Sequence, residues 1–263
     1  MQNYNVIGDI AGNYMTLMVL LNKMPKDSTL LSLGDLNDRG PKSKNVIQYV
    51  MNNGLCLNSN HGHMFVDYYK YNTFGKSNLY KNYLPYYEPN IFFSNSGEVT
   101  LSSYFNINYD TISDQLIKNT TIPIHIKWLE KLPMFLRTKD YFFSHAPYKN
   151  GYSLKEVCNL GKGFNQSDYT GDNTLLWNRK VSRCPVKQLS GKINIFGHNS
   201  NQYIRVYTLD FPNGISVENN KDFQYMLKEK KVYGICLDTS KNKVLTGLHI
   251  PTMTIYQQEY IDG

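Results

Sequence analysis

Three short polar blocks, each placed directly after a run of apolar residues, constrain the fold of this chain most strongly. The blocks span residues 8–12, 34–40 and 60–61. Asp9, Asp35 and Asn60 are the polar residues that each apolar run delivers. Short apolar runs of this kind predict buried strands, and ligands gather at the carboxyl ends of strands in α/β sheets. Carboxylate, amide and imidazole groups suit Mn, Fe or Zn, so the pattern predicts a metal site at one edge of a sheet.

Helical periodicity alternates with the predicted strands. Residues 14–24 are apolar at helical spacing and end at Pro25, and Pro41 opens a second helix that ends before Gly54. A further helix is predicted at 126–132. Strands are predicted at 4–7, 29–33, 55–57, 140–144, 193–196, 232–237, 243–248 and 253–256. The first strands should pair in parallel through helical crossovers, whereas 232–237 and 243–248 should form a hairpin.

Length and composition favour one large domain. The 263 residues predict a single domain over 1–263, with an insert of helices and loops at about 63–140. A net charge of +7 suits an anionic partner, but Lys and Arg are scattered, so a nucleic-acid-binding face is not favoured. The four cysteines form no CxxC pair, which predicts free thiols and a cytoplasmic location. No stretch is long and apolar enough to predict a membrane span.

The ordered motifs resemble those of a known enzyme family. GDxxG, GDxxDRG, NH, SHAP and GHN begin at residues 8, 34, 60, 144 and 197. Shorter matching segments lie at 100–104, 128–133, 176–179, 237–239 and 245–246. The series resembles the phosphoprotein-phosphatase branch of the calcineurin-like metallophosphoesterases, in particular small bacterial and bacteriophage forms and the symmetrical diadenosine-tetraphosphate hydrolases. The resemblance implies an α/β fold with a central β-sandwich of mixed sheets flanked by helices on both sides. It also suggests a viral source and a host cytoplasm.

The resemblance implies a site with two divalent metal ions. Asp35 would bridge both ions, Asp9 would bind the first, and Asn60, His145 and His198 would bind the second. Mn²⁺ is the leading candidate, and Zn²⁺, Fe or Co would also suit these ligands.

The resemblance also implies roles beyond metal binding. His61 would protonate the leaving group, and Asp38 would hold its ring. Arg39 and Arg179 would grip the phosphate oxygens beside Asn60 and His61, because a planar guanidinium can contact two oxygens at once.

Two positions depart from the family pattern. Ala11 stands where the family carries a histidine ligand of the first metal, which predicts weak binding of that metal and impaired turnover. Because the other ligands are present, the pattern favours a deliberate replacement over a natural variant with an altered metal site. Gly62 replaces an acidic residue that follows the Asn-His pair. His63 and His125 belong to no motif and are interpreted as structural, and Asp238 as a support of the fold.

The leading functional prediction is hydrolysis of phosphomonoesters, with phosphoserine or phosphothreonine of proteins as the substrate. Cleavage of dinucleoside polyphosphates, removal of RNA caps and hydrolysis of cyclic-nucleotide or RNA diesters are alternatives on the same fold. A non-catalytic module that recognises phosphorylated partners, and a plain nucleic-acid-binding protein, are alternatives from other classes. The sequence does not distinguish a protein substrate from a nucleotide substrate.

Overall fold

The computed structural model describes residues 2–74, 90–105, 121–148, 156, 175–179 and 191–262. Its strands are β1 (Tyr4–Ile7), β2 (Thr29–Ser32), β3 (Gly54–Cys56), β4 (Phe135–Arg137), β5 (Tyr141–Ser144), β6 (Ile193–Phe196), β7 (Ile204–Thr208), β8 (Ile215–Val217), β9 (Val232–Cys236), β10 (Val244–Ile250) and β11 (Thr254–Glu259). Its helices are α1 (Tyr14–Lys23), α2 (Ser43–Asn53), α3 (Asn60–Phe74), α4 (Asn90–Ser94), α5 (Gly97–Phe105), α6 (Ile122–Leu129) and α7 (Asn220–Glu229).

The strands form two mixed sheets. Sheet A has the order β11-β10-β1-β2-β3, and sheet B has the order β4-β5-β6-β9-β7-β8. Strands β1, β2 and β3 are parallel, as the strand-helix-strand pattern predicted, and β10 joins β1 antiparallel. In sheet B, β5, β6 and β9 are parallel neighbours. The predicted fold, a β-sandwich of mixed sheets with flanking helices, is confirmed.

The two faces of each strand enter different cores. Val6 of β1 lies in a cluster that both sheets share, whereas its neighbour Ile7 lies in a cluster with the helices. This alternation follows from the two-residue period of a strand. Phe143 and Ile195 of sheet B meet Val6 and Leu31 of sheet A in the shared cluster. The sheets therefore pack face to face, and the helices α1, α2, α3, α5 and α6 contribute to the cluster on the other face of sheet A.

The predicted hairpin at the end of the chain is wrong. Strands β9 and β10 have nearly the predicted bounds, but β9 pairs with β6 and β7 in sheet B, whereas β10 pairs with β1 and β11 in sheet A. A 3₁₀ turn at Ser240–Asn242 carries the chain from one sheet to the other. Ile235 and Cys236 of β9, which face opposite sides as neighbours in a strand, are buried in different clusters, so the strand is covered on both faces. Apolar periodicity identifies such a strand but does not identify its neighbours.

Several other expectations are refined by the structure. Helix α6 begins at Ile122, four residues before the predicted start, with a proline in its first turn. Cys56 and Cys236 are free and buried, as predicted, whereas Cys158 and Cys184 lie outside the described residues. No helix in the described part of the chain has the length and apolar character needed to cross a membrane. The single domain with an insert at about 63–140 stays a prediction.

Candidate metal centre

The site is built from loops that leave the strands in strained backbone conformations. Five residues of these loops adopt left-handed φ angles between 44° and 67°, namely Ala11, Asp35, Asp38, Arg39 and His198. Such angles are costly for residues other than glycine and concentrate at functional sites. The first two loops are joined through their backbones: the Ala11 N–H donates to Asp35 O at 2.7 Å, and the Gly40 N–H donates to Ala11 O at 2.9 Å.

Asp35, His145 and His198 form a buried cluster of metal-ligand type. One ligand atom from each lies within 4.8 Å of the other two. Asn60, the first residue of α3, joins them: its Oδ1 is 2.7 Å from His145 Nε2 and 3.2 Å from His198 Nδ1. His145 Nε2 also lies 3.4 Å from Asp35 Oδ1. The structure thus brings together the bridging ligand and the second-metal ligands predicted from the sequence.

The electrostatics of this cluster favour the protonation states that bind metals. Burial raises the pKa of Asp35, but the nearby His145, His61 and His198 outweigh it and hold that pKa below its ordinary value. Burial and the proximity of His145 lower the pKa of His198 to about 3, and burial lowers the pKa of His145. The cluster therefore offers an ionised carboxylate and neutral imidazoles, which are the forms that coordinate a cation.

The surroundings of the ring nitrogens of His145 and His198 fit a divalent metal. His145 Nδ1 lies 3.0 Å from Leu33 O, so it donates its proton to this carbonyl and leaves the Nε2 lone pair facing Asn60. His198 Nε2 is buried and has no hydrogen-bond partner among the described residues. A backbone carbonyl that orients a ring from its far nitrogen is a common support of metal-binding histidines.

Asp9 lies beside this cluster. Its Oδ1 accepts the backbone N–H of His198 at 3.1 Å. Burial, with the proximity of Asp238 and Asp35, raises the pKa of Asp9 well above its ordinary value. Carboxylates gathered away from water are stabilised by a cation, so Asp9 and Asp35 fit the predicted first-metal position. Ala11, in the same loop, is 3% exposed, and its side chain is a methyl group that cannot bind a metal.

His61 and Asp38 form a close pair. His61 Nδ1 lies 2.5 Å from Asp38 Oδ2, and both side chains are buried. Burial lowers the pKa of His61, but the negative charges of Asp35 and Asp38 raise it to a net value above the ordinary one. His61 Nε2 lies 3.8 Å from Asp35 Oδ2, so the other end of the ring faces the metal cluster. This arrangement can hold a proton on the ring next to the cluster.

The two predicted phosphate-binding arginines lie at the exposed rim of the site. Arg39 Nη2 is 3.3 Å from His61 Nε2, and Arg179 Nη1 donates to His198 O at 3.4 Å. Both residues are exposed, whereas the histidines they contact are buried. The guanidinium groups therefore stand between the buried cluster and the solvent.

The structure adds a contact at Thr100 that the sequence analysis did not predict, and it places Asp238, interpreted as a support of the fold, beside Asp9. Thr100 Oγ1 donates to Asp38 Oδ1 at 2.5 Å. Asp238 is buried next to Asp9 and its Oδ2 has no hydrogen-bond partner among the described residues. Asp238 follows a strand, β9, as Asp9 and Asp35 follow β1 and β2, and this position was the available signal. Thr100 lies on α5, in a segment where only the family resemblance gave a hint.

Two histidines outside the motifs lie away from the cluster, as interpreted from the sequence. His125 is buried between Tyr104 and Gln48, with Nδ1 2.6 Å from the Tyr104 hydroxyl and Nε2 3.1 Å from Gln48 Oε1. His63 pairs with Asp67 one turn further along α3. Gly62, the second departure from the family pattern, has no side chain, and its N–H donates to Ser59 Oγ at 3.2 Å.

Comparisons with known proteins agree with this geometry at the level of the fold. No family profile and no curated protein matches the sequence. A protein assigned as a diadenosine tetraphosphatase aligns over 100% of this chain and 95% of its own, with 14% identity and a TM-score of 0.55. A metallophosphoesterase from Sphaerobacter thermophilus aligns over 99% and 88%, with 12% identity and a TM-score of 0.51.

A third solved structure comes from another branch. A protein serine/threonine phosphatase from Saccharomyces cerevisiae, with similarity to human phosphatase PP5, aligns over 99% of this chain and 80% of its own. Its identity is 14% and its TM-score 0.57. At such low identities the likeness concerns the fold, and the chain has the metallophosphoesterase fold.

Proposed function

We propose that this chain is a metal-dependent phosphoesterase that hydrolyses phosphomonoesters, with phosphoserine or phosphothreonine of proteins as the leading substrate. The observation that carries the proposal is the buried Asp35, His145 and His198 cluster, with the close His61–Asp38 pair facing it. A metal cluster beside a proton donor is what hydrolysis of a phosphate ester requires.

The ligand set divides between two ions. Asp35 would bridge them, Asp9 would hold the first, and Asn60, His145 and His198 would hold the second. When bound, divalent ions such as Mn²⁺ would neutralise charge on the phosphoryl oxygens and lower the pKa of the attacking water. The chain's own contribution is to keep these ligands dry, oriented and correctly protonated.

His61 is the proposed general acid. Its Nδ1–H is held by Asp38, and the proton on Nε2 passes to the leaving alkoxide oxygen as the P–O bond breaks. The carboxylates of Asp35 and Asp38 keep the ring protonated more readily than burial alone would allow. Arg39 and Arg179 would bind phosphate oxygens from the rim, because both are exposed and both contact a histidine of the site.

Ala11 has a defined consequence under this proposal. The first ion has Asp9 and Asp35 as protein ligands but no imidazole, so its affinity and the turnover are expected to be low. This expectation supports impaired activity of the present chain, and it also keeps a non-catalytic phosphate-binding role as an alternative.

Hydrolysis of dinucleoside polyphosphates is the second candidate. The similarity to the structure assigned as a diadenosine tetraphosphatase, which spans nearly all of both chains, favours it. The same cluster would act on either substrate, because both contain a phosphate ester or anhydride whose oxygens bind divalent ions.

A paired assay tests the proposal. The present chain and Ala11→His are compared with Mn²⁺ on p-nitrophenyl phosphate, a phosphopeptide and diadenosine tetraphosphate, with Asp35→Asn as the inactive control. We expect Ala11→His to raise turnover by about 10²-fold or more, since a metal ligand is restored. The preferred substrate then identifies the branch. If both proteins bind phosphate but hydrolyse none of the three, the enzyme proposal fails and the binding-module alternative stands.

A further inference from the structure

The His61–Asp38 pair is itself held by a side chain from a distant helix. Asp38 lies in the loop before α2 with φ at 67°, a conformation that its own backbone does not favour. Thr100, in the middle of α5, reaches it from 62 residues further along the chain. The position of Asp38 therefore depends on α5.

Thr100 contacts Asp38 at two points with one hydroxyl group. Thr100 Oγ1 donates to Asp38 Oδ1 at 2.5 Å, and the same oxygen accepts the Asp38 backbone N–H at 2.8 Å. Both residues are completely buried. Because Oδ1 is bound by Thr100, Oδ2 is directed at His61 Nδ1, 2.5 Å away. The hydroxyl thus fixes both the backbone and the carboxylate rotation of Asp38.

A second bond ties the same helix to the same region. Ser103 Oγ, one turn after Thr100, accepts the Lys44 backbone N–H of α2 at 3.0 Å. This bond docks α5 on the start of α2 but does not touch Asp38 or His61. The chain therefore offers a matched pair of contacts, one that reaches the proton donor and one that only docks the helix.

We propose that Thr100 is a positioning residue for proton donation, which acts on His61 through Asp38 and couples helix α5 to the chemistry. The proposal rests on the proposed phosphoesterase function and assigns the predicted insert, which carries α5, a part in it. Without the hydroxyl, Asp38 Oδ1 would be left buried without this partner, and the carboxylate could rotate away from Nδ1.

The first test uses leaving groups of different basicity. Thr100→Val removes the hydroxyl with little change in volume, and Thr100→Ser keeps it. Ser103→Ala removes the docking bond to Lys44 and the bond from Ser103 Oγ to the Thr100 backbone carbonyl, but leaves the Thr100 hydroxyl in place. Each is made in the present chain and in Ala11→His, and kcat/KM is measured with Mn²⁺ on phenyl phosphate and on p-nitrophenyl phosphate. Phenolate is the poorer leaving group and depends more on a proton from His61.

We expect Thr100→Val to lower the rate on phenyl phosphate about tenfold more than the rate on p-nitrophenyl phosphate, a part of the 10²- to 10⁴-fold that general acids supply. Thr100→Ser should keep the ratio of the two rates at the value of the parent chain, and Ser103→Ala should leave this ratio unchanged. Equal losses on both esters, or the same change of ratio in Ser103→Ala, would show that α5 only supports the fold and would overturn the proposal.

The second test needs no activity. A short hydrogen bond between a histidine Nδ1 and a carboxylate gives a strongly deshielded proton resonance, which His61→Asn assigns by its loss. We expect this resonance in the present chain, in Thr100→Ser and in Ser103→Ala, and its loss or upfield shift in folded Thr100→Val. If neither the present chain nor Ala11→His hydrolyses any ester but the pattern is seen, the proposed function is contradicted and the positioning of Asp38 and His61 by Thr100 is retained. An unchanged resonance in Thr100→Val contradicts the positioning role whether or not the chain is active.

Discussion

Gly197 has no side chain, and the Asp9 carboxylate occupies the space that a side chain there would fill. A Cβ on Gly197 would lie 2.2 Å from Asp9 Oδ1, which is far inside the contact distance of the two atoms. The next residue, His198, donates its N–H to the same oxygen. The residue type at 197 is thus set by a side chain nearly two hundred positions away, at the metal cluster.

The first prediction follows from this contact. Gly197→Ala should displace Asp9 and weaken Mn²⁺ binding by about 1–3 kcal/mol, the usual cost of inserting a carbon into a filled site. Isothermal titration with Mn²⁺ measures the change. Gly191→Ala is the matched control: it has a left-handed φ of 78° but no heavy atom within 4 Å of its added carbon, so its Mn²⁺ affinity should not change. Equal affinities of Gly197→Ala and the parent chain would contradict the prediction.

At the residue scale, some of the site could be predicted and some could not. Asp9, Asp35 and Asn60 could be found because each follows an apolar strand, and this local pattern can be recognised in a single sequence. The left-handed conformations of Asp35 and Asp38 could not, since the Asp35 carbonyl accepts the Ala11 N–H from another loop and the Asp38 N–H donates to the Thr100 hydroxyl. Thr100 could not either, because its hydroxyl meets Asp38 only once α5 has docked.

Helix α1 receives its N-terminal cap from the far end of the chain. Asn13, at the capping position, makes no side-chain bond to the helix. Instead, the Asp262 carboxylate accepts the backbone N–H groups of Met15 and Thr16 at 2.9 Å and the Thr16 hydroxyl at 2.7 Å. The carboxylate is fully buried and faces the positive end of the helix dipole.

The second prediction concerns this cap. Asp262→Ala should lower the free energy of unfolding by about 1–2 kcal/mol, as expected when a helix cap is removed. Urea unfolding at neutral pH measures it. Asp210→Ala breaks an exposed ion pair with Lys230 and should change stability by less than about 0.5 kcal/mol. A loss in Asp262→Ala no larger than that in Asp210→Ala would show that the cap contributes nothing.

His125 links three helices through its two ring nitrogens. It lies on α6, accepts the Tyr104 hydroxyl of α5 at Nδ1, and donates from Nε2 to Gln48 of α2. The bond from the Tyr104 hydroxyl requires the neutral ring, because a protonated Nδ1 cannot accept. Burial, with the nearby Lys44, lowers the pKa of His125 to about 4.

The third prediction is a pH dependence of stability with a defined sign. Between about pH 4 and pH 6.5 the unfolded chain holds a proton on residue 125 that the folded chain lacks, so stability rises with pH across this window and is lost as pH falls. Urea unfolding at about pH 5 and pH 7 measures the slope. His125→Gln should show a smaller slope than the parent. Identical slopes would mean that the ring is protonated alike in both states.

At the element scale, the positions of strands and helices in the first sixty residues follow from local patterns. The pairing of strands in sheet B does not. Strands β1 and β2 are separated by one helix, so their parallel pairing follows from connection length. Strand β9 has the same apolar character as β10, yet the two lie in different sheets. Which sheet a strand joins depends on the residues that cover its two faces, and these residues are distant in sequence.

At the scale of the whole molecule, several ionisable groups are buried close together at the candidate metal centre. Asp9 and Asp35 are carboxylates buried close together, and burial with the charges of Asp238 and Asp35 raises the pKa of Asp9. A bound cation would relieve this repulsion in the folded state alone. Metal binding and folding stability are therefore expected to be coupled.

The fourth prediction measures this coupling. Mn²⁺ at about 100 times its dissociation constant should stabilise the folded chain by about 2.7 kcal/mol, and a chelator should reverse the effect. Thermal unfolding with and without Mn²⁺ gives the change. Asp35→Asn should lose most of the stabilisation. A shift of the same size in Asp35→Asn would indicate that Mn²⁺ acts elsewhere.

Sheet A also has a consequence for how the protein is made. Its strand β1 lies between β2 and β10, and β10 lies some 240 residues downstream in the chain. While the chain is being synthesised, β1 leaves the ribosome well before β10 and has one open edge until β10 follows. The Asp9 loop after β1 must wait as well, since Gly8 packs against Leu237 and its N–H donates to Thr246 O. The candidate metal centre can therefore be assembled only after β10 has left the ribosome, which ties metal loading to the completion of sheet A.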